Sequence, residues 1–354
     1  MSKFLADRFN TLDPYIPGEQ PLDMEYIKLN TNESPYPPPK AVIEAITEKE
    51  LEKLNLYPDP EGFRLINRIA EKYNVKSSNV IIGNGSDELL AFTFLAFFTR
   101  KGVIFPDITY GFYPIYAKLY DVPYKQVALD DNLNIAINDY INTGKDVILA
   151  NPNAPTGIYL DLSQVGKLCS NNPENIIVID EAYIDYGGET AIPLIGKYDN
   201  LLVIHTYSKG RSMAGARLAY AIAQEPIIND LKTIKNSFNP YNVNRLTLLM
   251  GEAALNEEKY YKEKHQEIIE TREYVAKRLK EIGFELTDSK ANFVFVKHPK
   301  IKGYELYLAL KEKGVLVRNW SLPRISNYIR ISIGTKPQMD KLLNETKSIV
   351  GSLL

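Results

Sequence analysis

An α/β fold, with a mostly parallel sheet sandwiched by helices and a smaller α+β domain after it, is predicted by two features of this 354-residue sequence. Between residues 41 and 235, short and continuously apolar strands alternate with helical patterns, which is how a parallel sheet buried on both faces reads. The informative polar motifs each follow directly on one of those strands, where open parallel sheets place their ligands.

The elements follow in order. Residues 1–40 carry Pro14, Pro17, Pro21, Pro35, Pro37, Pro38 and Pro39, which interrupt any helix begun there. This segment is expected to be an extended arm, docked through Tyr15, Ile16, Tyr26, Ile27 and Leu29 rather than disordered. A large domain is expected over 41–240, with strands at 79–82, 101–105, 146–150, 175–179 and 201–205. A small domain is expected over 241–354, with a long charged helix near 256–283 and strands at 291–296, 314–318 and 328–333.

Composition narrows the function. Lys plus Arg (42) nearly balance Asp plus Glu (44) and are scattered, so no basic stripe follows a nucleic acid. The single Cys169 excludes an internal disulfide and a thiolate metal cluster and reads as a packing residue; no metal is expected. The first ten residues lack the apolar core of a signal peptide, and no run of about 18 apolar residues occurs. The expectation is a cytoplasmic protein with no membrane partner.

Two polar clusters arrive at one sheet edge. The strand ending at Ile179 delivers Asp180-Glu181-Ala182-Tyr183, and the strand ending at His205 delivers Thr206-Tyr207-Ser208-Lys209. A lysine ahead of a small, glycine-containing stretch suits an amine that forms an imine with a flat ligand, although alone it also reads as a surface lysine in a turn. Asp180 suits a protonated pyridine nitrogen; its plain alternative is a helix N-cap. Gly83-Asn84-Gly85-Ser86-Asp87-Glu88 leaves a strand and opens a helix, which is a phosphate cradle or an ordinary helix cap. Ser208 and Arg217 would supply further donors to that anion, the arginine through its planar fork. Tyr110, just after another strand end, is placed to cover a cofactor ring, whereas most of the 24 tyrosines must be structural.

Taken together, Pro14-Tyr15-Ile16-Pro17-Gly18, Leu29-Asn30-Thr31-Asn32-Glu33, Tyr57-Pro58-Asp59-Pro60, the Gly83–Glu88 motif, Pro152-Asn153-Ala154-Pro155-Thr156-Gly157, Asp180–Tyr183, Ser208-Lys209, Arg217 and Arg330 resemble the fold-type I, aspartate-aminotransferase-like family of pyridoxal-phosphate enzymes. They keep the family's order and cover nearly the whole chain. The resemblance implies a seven-stranded sheet in the large domain, pyridoxal 5'-phosphate as cofactor, and aminotransfer between an amino donor and a keto acid. It implies that Lys209 bonds the cofactor and shuttles the proton, that Asp180 meets the pyridine nitrogen, and that Tyr183 meets the ring hydroxyl. Gly85, Ser86, Thr206, Ser208 and Arg217 would hold the phosphate, Asp87 would join the cofactor-binding residues, and Tyr110 would stack on the ring. Tyr57 would reach the neighbouring subunit's cofactor, so that a homodimer shares its sites. Substrate would meet Tyr15, Asn32, Tyr241, Arg318 and Arg330; Arg330 alone also reads as a surface ion pair.

One position departs from the pattern. Where the family usually has asparagine before Pro-Thr-Gly, this chain has Ala154, with Asn153 one place earlier. Asn153 is expected to serve through a one-residue register shift; otherwise Tyr183 acts alone on the ring oxygen. More narrowly, the motifs resemble the branch acting on histidinol phosphate. Threonine-phosphate decarboxylases and aromatic or general amino-acid aminotransferases share most of them. A non-catalytic cofactor-binding regulator would need an additional DNA-binding domain that the proline-rich first 40 residues do not supply.

Overall fold

The computed structural model describes residues 2–10 and 12–353. The arm contributes β1 (Ile27–Lys28). Strands β2 (Val80–Gly83), β3 (Val103–Pro106), β4 (Tyr124–Val127), β5 (Asp146–Ala150), β6 (Ile177–Asp180), β7 (Leu201–Thr206) and β8 (Ala219–Ala223) form a seven-stranded sheet in the order β2-β8-β7-β6-β5-β3-β4. β8 is antiparallel to both of its neighbours, and the other six strands run one way. Their carboxyl ends therefore share one edge.

Burial on both faces follows from the two-residue period of a strand. Ile82, Val147, Ile179 and Val203 face one core, whereas Ile81, Ile148, Val178 and Leu202, each one residue away, face another. That explains why these strands read as unbroken apolar runs. Cys169 lies buried in the first core, as a packing residue does. Two strands carry no such run. β4 (Tyr-Lys-Gln-Val) is an edge strand with its first three residues exposed, and charge there guards an open edge. β8 is buried but rich in alanine, which leaves a weak strand signal.

Downstream, β9 (Glu285–Leu286), β10 (Phe293–Lys297), β11 (Val315–Leu316), β12 (Arg318–Asn319) and β13 (Tyr328–Ser332) follow the 24-residue helix Glu258–Glu281. Four of them make an antiparallel sheet in the order β12-β13-β10-β9. The expected strand at 314–318 is divided: β11 pairs in parallel with β1 of the arm, while β12 pairs with β13. A further core forms around β10 and β13, with Leu29 of the arm and Val275 and Leu279 of the long helix. Val243, Leu248, Ala254 and Leu255 lie past residue 240 but pack in the first core, and Tyr261 at the start of the long helix joins them.

The arm is docked. Besides the β1–β11 pairing, the Leu29 carbonyl accepts from Ser332 N–H at 2.9 Å, Glu19 accepts from Tyr307 and Lys311, and Tyr15 stacks on Phe112 with ring centroids 4.4 Å apart. These bonds close the arm over the edge where the strands end.

Candidate active site

A cavity of about 660 Å³ lies at that edge. Ser86 and Asp87 follow β2, Thr109 and Tyr110 follow β3, Ala154 follows β5, Asp180 and Tyr183 come from the end of β6, and Thr206, Ser208 and Lys209 come from the end of β7. Arg318 and Arg330 reach it from β12 and β13, and Tyr15 and Asn32 from the arm. Short apolar strands thus hold the backbone rigidly while their polar continuations converge.

The Lys209 amine donates to the Thr31 carbonyl at 3.0 Å. Burial, reinforced by the positive charge of Arg330, pushes its pKa down to about 8. A lysine in that condition is neutral in a useful fraction of molecules near physiological pH and is a nucleophile. Asp180 is 4% exposed, accepts from the Tyr113 hydroxyl at 3.0 Å and from Ala182 N–H at 3.3 Å. Burial pushes its pKa up to about 6, against the lowering effect of Tyr113. It is therefore still a carboxylate at neutral pH, held in a site where a cationic partner is strongly favoured.

The anion cradle is present. Helix Ser86–Thr93 starts at Gly85, whose φ of +84° suits glycine, and a Cβ built there would come 2.5 Å from Arg217 Nη2. The glycine is thus what admits the guanidinium. The Thr206 and Ser208 hydroxyls lie 3.0 Å apart beside it. Asp87 also lines the cavity, and its carboxylate accepts from the Arg217 guanidinium at 3.0 Å and from the Tyr110 hydroxyl at 2.7 Å, fixing both around the cradle. A depressed amine, a buried carboxylate and a helix start with a guanidinium, all on one cavity, fit a phosphorylated pyridine aldehyde.

Two expected positions lie outside this cavity. Asn153 does not line the cavity: its amide nitrogen donates to Ile108 O (3.0 Å) and Thr156 Oγ1 (3.2 Å), and its Oδ1 accepts from Thr109 (2.8 Å). These bonds brace the loop, no register shift occurs, and Ala154 occupies the wall. Tyr241 also lies outside the cavity of its own chain, stacked on Tyr57 with centroids 4.4 Å apart. Both rings face outward, 41% and 76% exposed respectively; Tyr57 is expected at the neighbouring subunit's cofactor and not in this cavity.

The sequence reading missed Thr31, Tyr113 and Trp320. Tyr113 opens the helix Tyr113–Leu119 while Tyr110 precedes it in a loop, and the two hydroxyls go to different carboxylates, Asp180 and Asp87. Nothing local marks a backbone carbonyl such as that of Thr31. Trp320, the only tryptophan, lies under two cations: its ring is 5.4 Å from the Arg330 guanidinium and 6.0 Å from that of Arg318.

Comparison with known proteins gives the same answer. The family model for aminotransferase class I and II matches residues 24–345. The chain belongs to the class I and II aminotransferases. The histidinol-phosphate aminotransferase of Brachyspira hyodysenteriae is 49% identical over 352 residues, which is 99% of each chain. The crystal structure of the histidinol-phosphate aminotransferase from Clostridium acetobutylicum superposes with a TM-score of 0.85 at 26% identity, covering 92% of this chain and 99% of that one. That of the Sinorhizobium meliloti enzyme in complex with pyridoxal-5'-phosphate superposes with a TM-score of 0.86 over the full length of both chains, at 22% identity, and shows the shared fold. This aminotransferase is a pyridoxal-phosphate-dependent transaminase, and the cavity residues suit that cofactor. Among the described residues no helix is long and apolar enough to cross a membrane.

Proposed function

We propose that this aminotransferase moves an amino group from glutamate to imidazole acetol phosphate, giving histidinol phosphate and 2-oxoglutarate, in histidine biosynthesis. The observation that carries the reading is the pair of guanidinium groups, Arg318 and Arg330, on the wall of the cavity that holds Lys209. The Nε of Arg330 is buried with no partner and its Nη2 donates to Asn30 O at 2.9 Å, so a substrate anion would complete its hydrogen bonding. Histidinol-phosphate aminotransferase relatives with 44–49% identity over nearly the whole chain support the same substrate.

When bound, pyridoxal phosphate supplies an aldehyde for amines and a ring that accepts the electron pair left by proton loss. Lys209 would bond that aldehyde and, once an incoming amine has taken its place, would carry the proton from the substrate carbon that bears the amine. Asp180 would hold a negative charge against the ring nitrogen and keep that nitrogen protonated. Tyr183 would meet the ring oxygen, Tyr110 would cover the ring, and Gly85, Ser86, Thr206, Ser208 and Arg217 would hold the phosphate. The arm, with Tyr15 and Asn32, closes the cavity against water.

The same reading includes an arm (1–40), a large cofactor-binding domain and a small domain, in a homodimer located in the cytoplasm. Separate buried cores support the division, with the passage between the two domains running along helix Glu258–Glu281. The exposed Tyr57–Tyr241 stack, with the exposed Leu54, Leu56, Phe63 and Phe238 near it in sequence, supports a second copy there. Turnover with 2-oxoglutarate tests the substrate: histidinol phosphate should exceed phosphothreonine and phenylalanine in kcat/KM by 100-fold or more, about 3 kcal/mol. Equal turnover of phenylalanine, or decarboxylation of phosphothreonine, would remove the assignment.

A further inference from the structure

Asn32 joins the arm, β13 and the segment after β6, and its hydrogen bonds have a direction. Its backbone N–H donates to Ser332 Oγ at 2.9 Å, which leaves that hydroxyl's own hydrogen to be given to Asn32 Oδ1, also 2.9 Å away. With Oδ1 committed to Ser332, the amide nitrogen faces the other way and donates to the Tyr183 hydroxyl oxygen at 3.0 Å. Asn292 Nδ2 donates to the Asn32 carbonyl at 3.0 Å, bracing a backbone that sits at φ 55°. Asn32, Ser332 and Asn292 are 1%, 2% and 0% exposed, so water does not compete for these bonds.

A tyrosine oxygen that accepts from Asn32 keeps its own hydrogen to give. Tyr183 lines the cavity, and burial keeps it a neutral hydroxyl. Ala154 on the same wall offers no donor, and the Asn153 amide is committed to the loop. We propose that Ser332 and Asn32 are positioning residues that turn the Tyr183 hydroxyl into a donor aimed into the cofactor cavity, toward the anionic oxygen of the bound ring. The proposal rests on Tyr183 facing that oxygen. The charged and titratable groups facing Tyr183 include Arg330 on β13, Asp180 on β6, Tyr15 on the arm, Tyr113 after β3 and Tyr186 after β6, and none of them is altered in the test.

The visible absorbance of the bound cofactor reports the basicity of that oxygen, because losing a donor to an anion raises its proton affinity. Holoenzyme is titrated as wild type, Ser332→Ala, Tyr183→Phe and the double variant. Tyr183→Phe should move the midpoint of the absorbance change upward by about one pH unit, and Ser332→Ala by about half a unit, roughly a net hydrogen bond each. In the Tyr183→Phe background, Ser332→Ala should add nothing. An unmoved Tyr183→Phe titration overturns the placement of Tyr183 itself. A Ser332→Ala titration that matches wild type, or that shifts equally in both backgrounds, overturns the relay alone. Asn32→Asp, which preserves shape, gives a second reading: its carboxylate only accepts, draws the Tyr183 proton to itself, and must raise the midpoint more with Tyr183 present than with phenylalanine. An equal rise in both backgrounds counts against the relay.

Discussion

Arg217 and Asp87 form an ion pair at 3.0 Å across the start of helix Ser86–Thr93, with the Tyr110 hydroxyl on the other oxygen of the carboxylate. The pair is 44% and 36% exposed and contributes little to folding; its effect is to fix where the guanidinium points. Arg217→Ala should therefore weaken pyridoxal-phosphate binding by about 10- to 100-fold, the loss of charge-assisted bonds to a phosphate, with little change in melting temperature. Equilibrium dialysis of the apoprotein measures it. Arg217→Lys should recover only part, since an ammonium does not reproduce the fork.

The depressed amine gives a pH dependence with a definite sign. Lys209 titrates at about 8 in place of 10.5, so it is mostly protonated and unreactive at pH 6 and mostly neutral at pH 9. The rate at which the apoprotein takes up pyridoxal phosphate covalently should rise about tenfold per pH unit below that value and level off above it. Stopped-flow absorbance between pH 6 and 10 checks this. A rate still climbing at pH 10 would mean that burial does not perturb the amine.

Asp180 illustrates stability given up for chemistry. Its folded pKa of about 6 lies above the unfolded 3.8, so the native state binds more protons between about 4 and 6 and stability falls as pH rises through that window. Asp180→Asn removes the buried charge and retains an acceptor for Tyr113. The apoprotein variant should be more stable at pH 7 by about 1–3 kcal/mol, while transamination falls by several orders of magnitude. Chemical denaturation and turnover, run side by side, measure both.

Sharing of sites between subunits is tested by mixing. Tyr57→Ala and Lys209→Ala homodimers should each be impaired, whereas unfolding and refolding them together should restore about a quarter of wild-type activity. Half of the resulting dimers are then mixed, and each mixed dimer carries one complete site. No recovery would place Tyr57 outside the partner's site.

Much of the fold was legible because its strands are buried on both faces: 80–83, 103–106, 146–150, 177–180 and 201–206 announce themselves as apolar runs with polar continuations. β4 and β8 were not, one being a polar edge and the other mostly alanine. At the site, Lys209, Asp180, Tyr183, Ser86, Thr206, Ser208 and Arg217 were legible because each directly follows a strand or completes a motif, and all seven line one cavity. Asn153 was misjudged because a one-residue shift cannot be read without the loop's own bonds to Ile108 and Thr156. Tyr241 lies outside its own chain's cavity, and sequence gives no sign of which surface a tyrosine in a turn will face. Tyr113 and Thr31 act through contacts 67 and 178 residues away, and long-range pairs leave no local pattern.

Reduction of the holoenzyme with borohydride, followed by peptide mapping, tests the central claim most directly. One pyridoxyl group per chain should be found, on the peptide that contains Lys209, and Lys209→Ala should abolish both the label and the visible band. A label on any other lysine, or a visible band retained by Lys209→Ala, would contradict it.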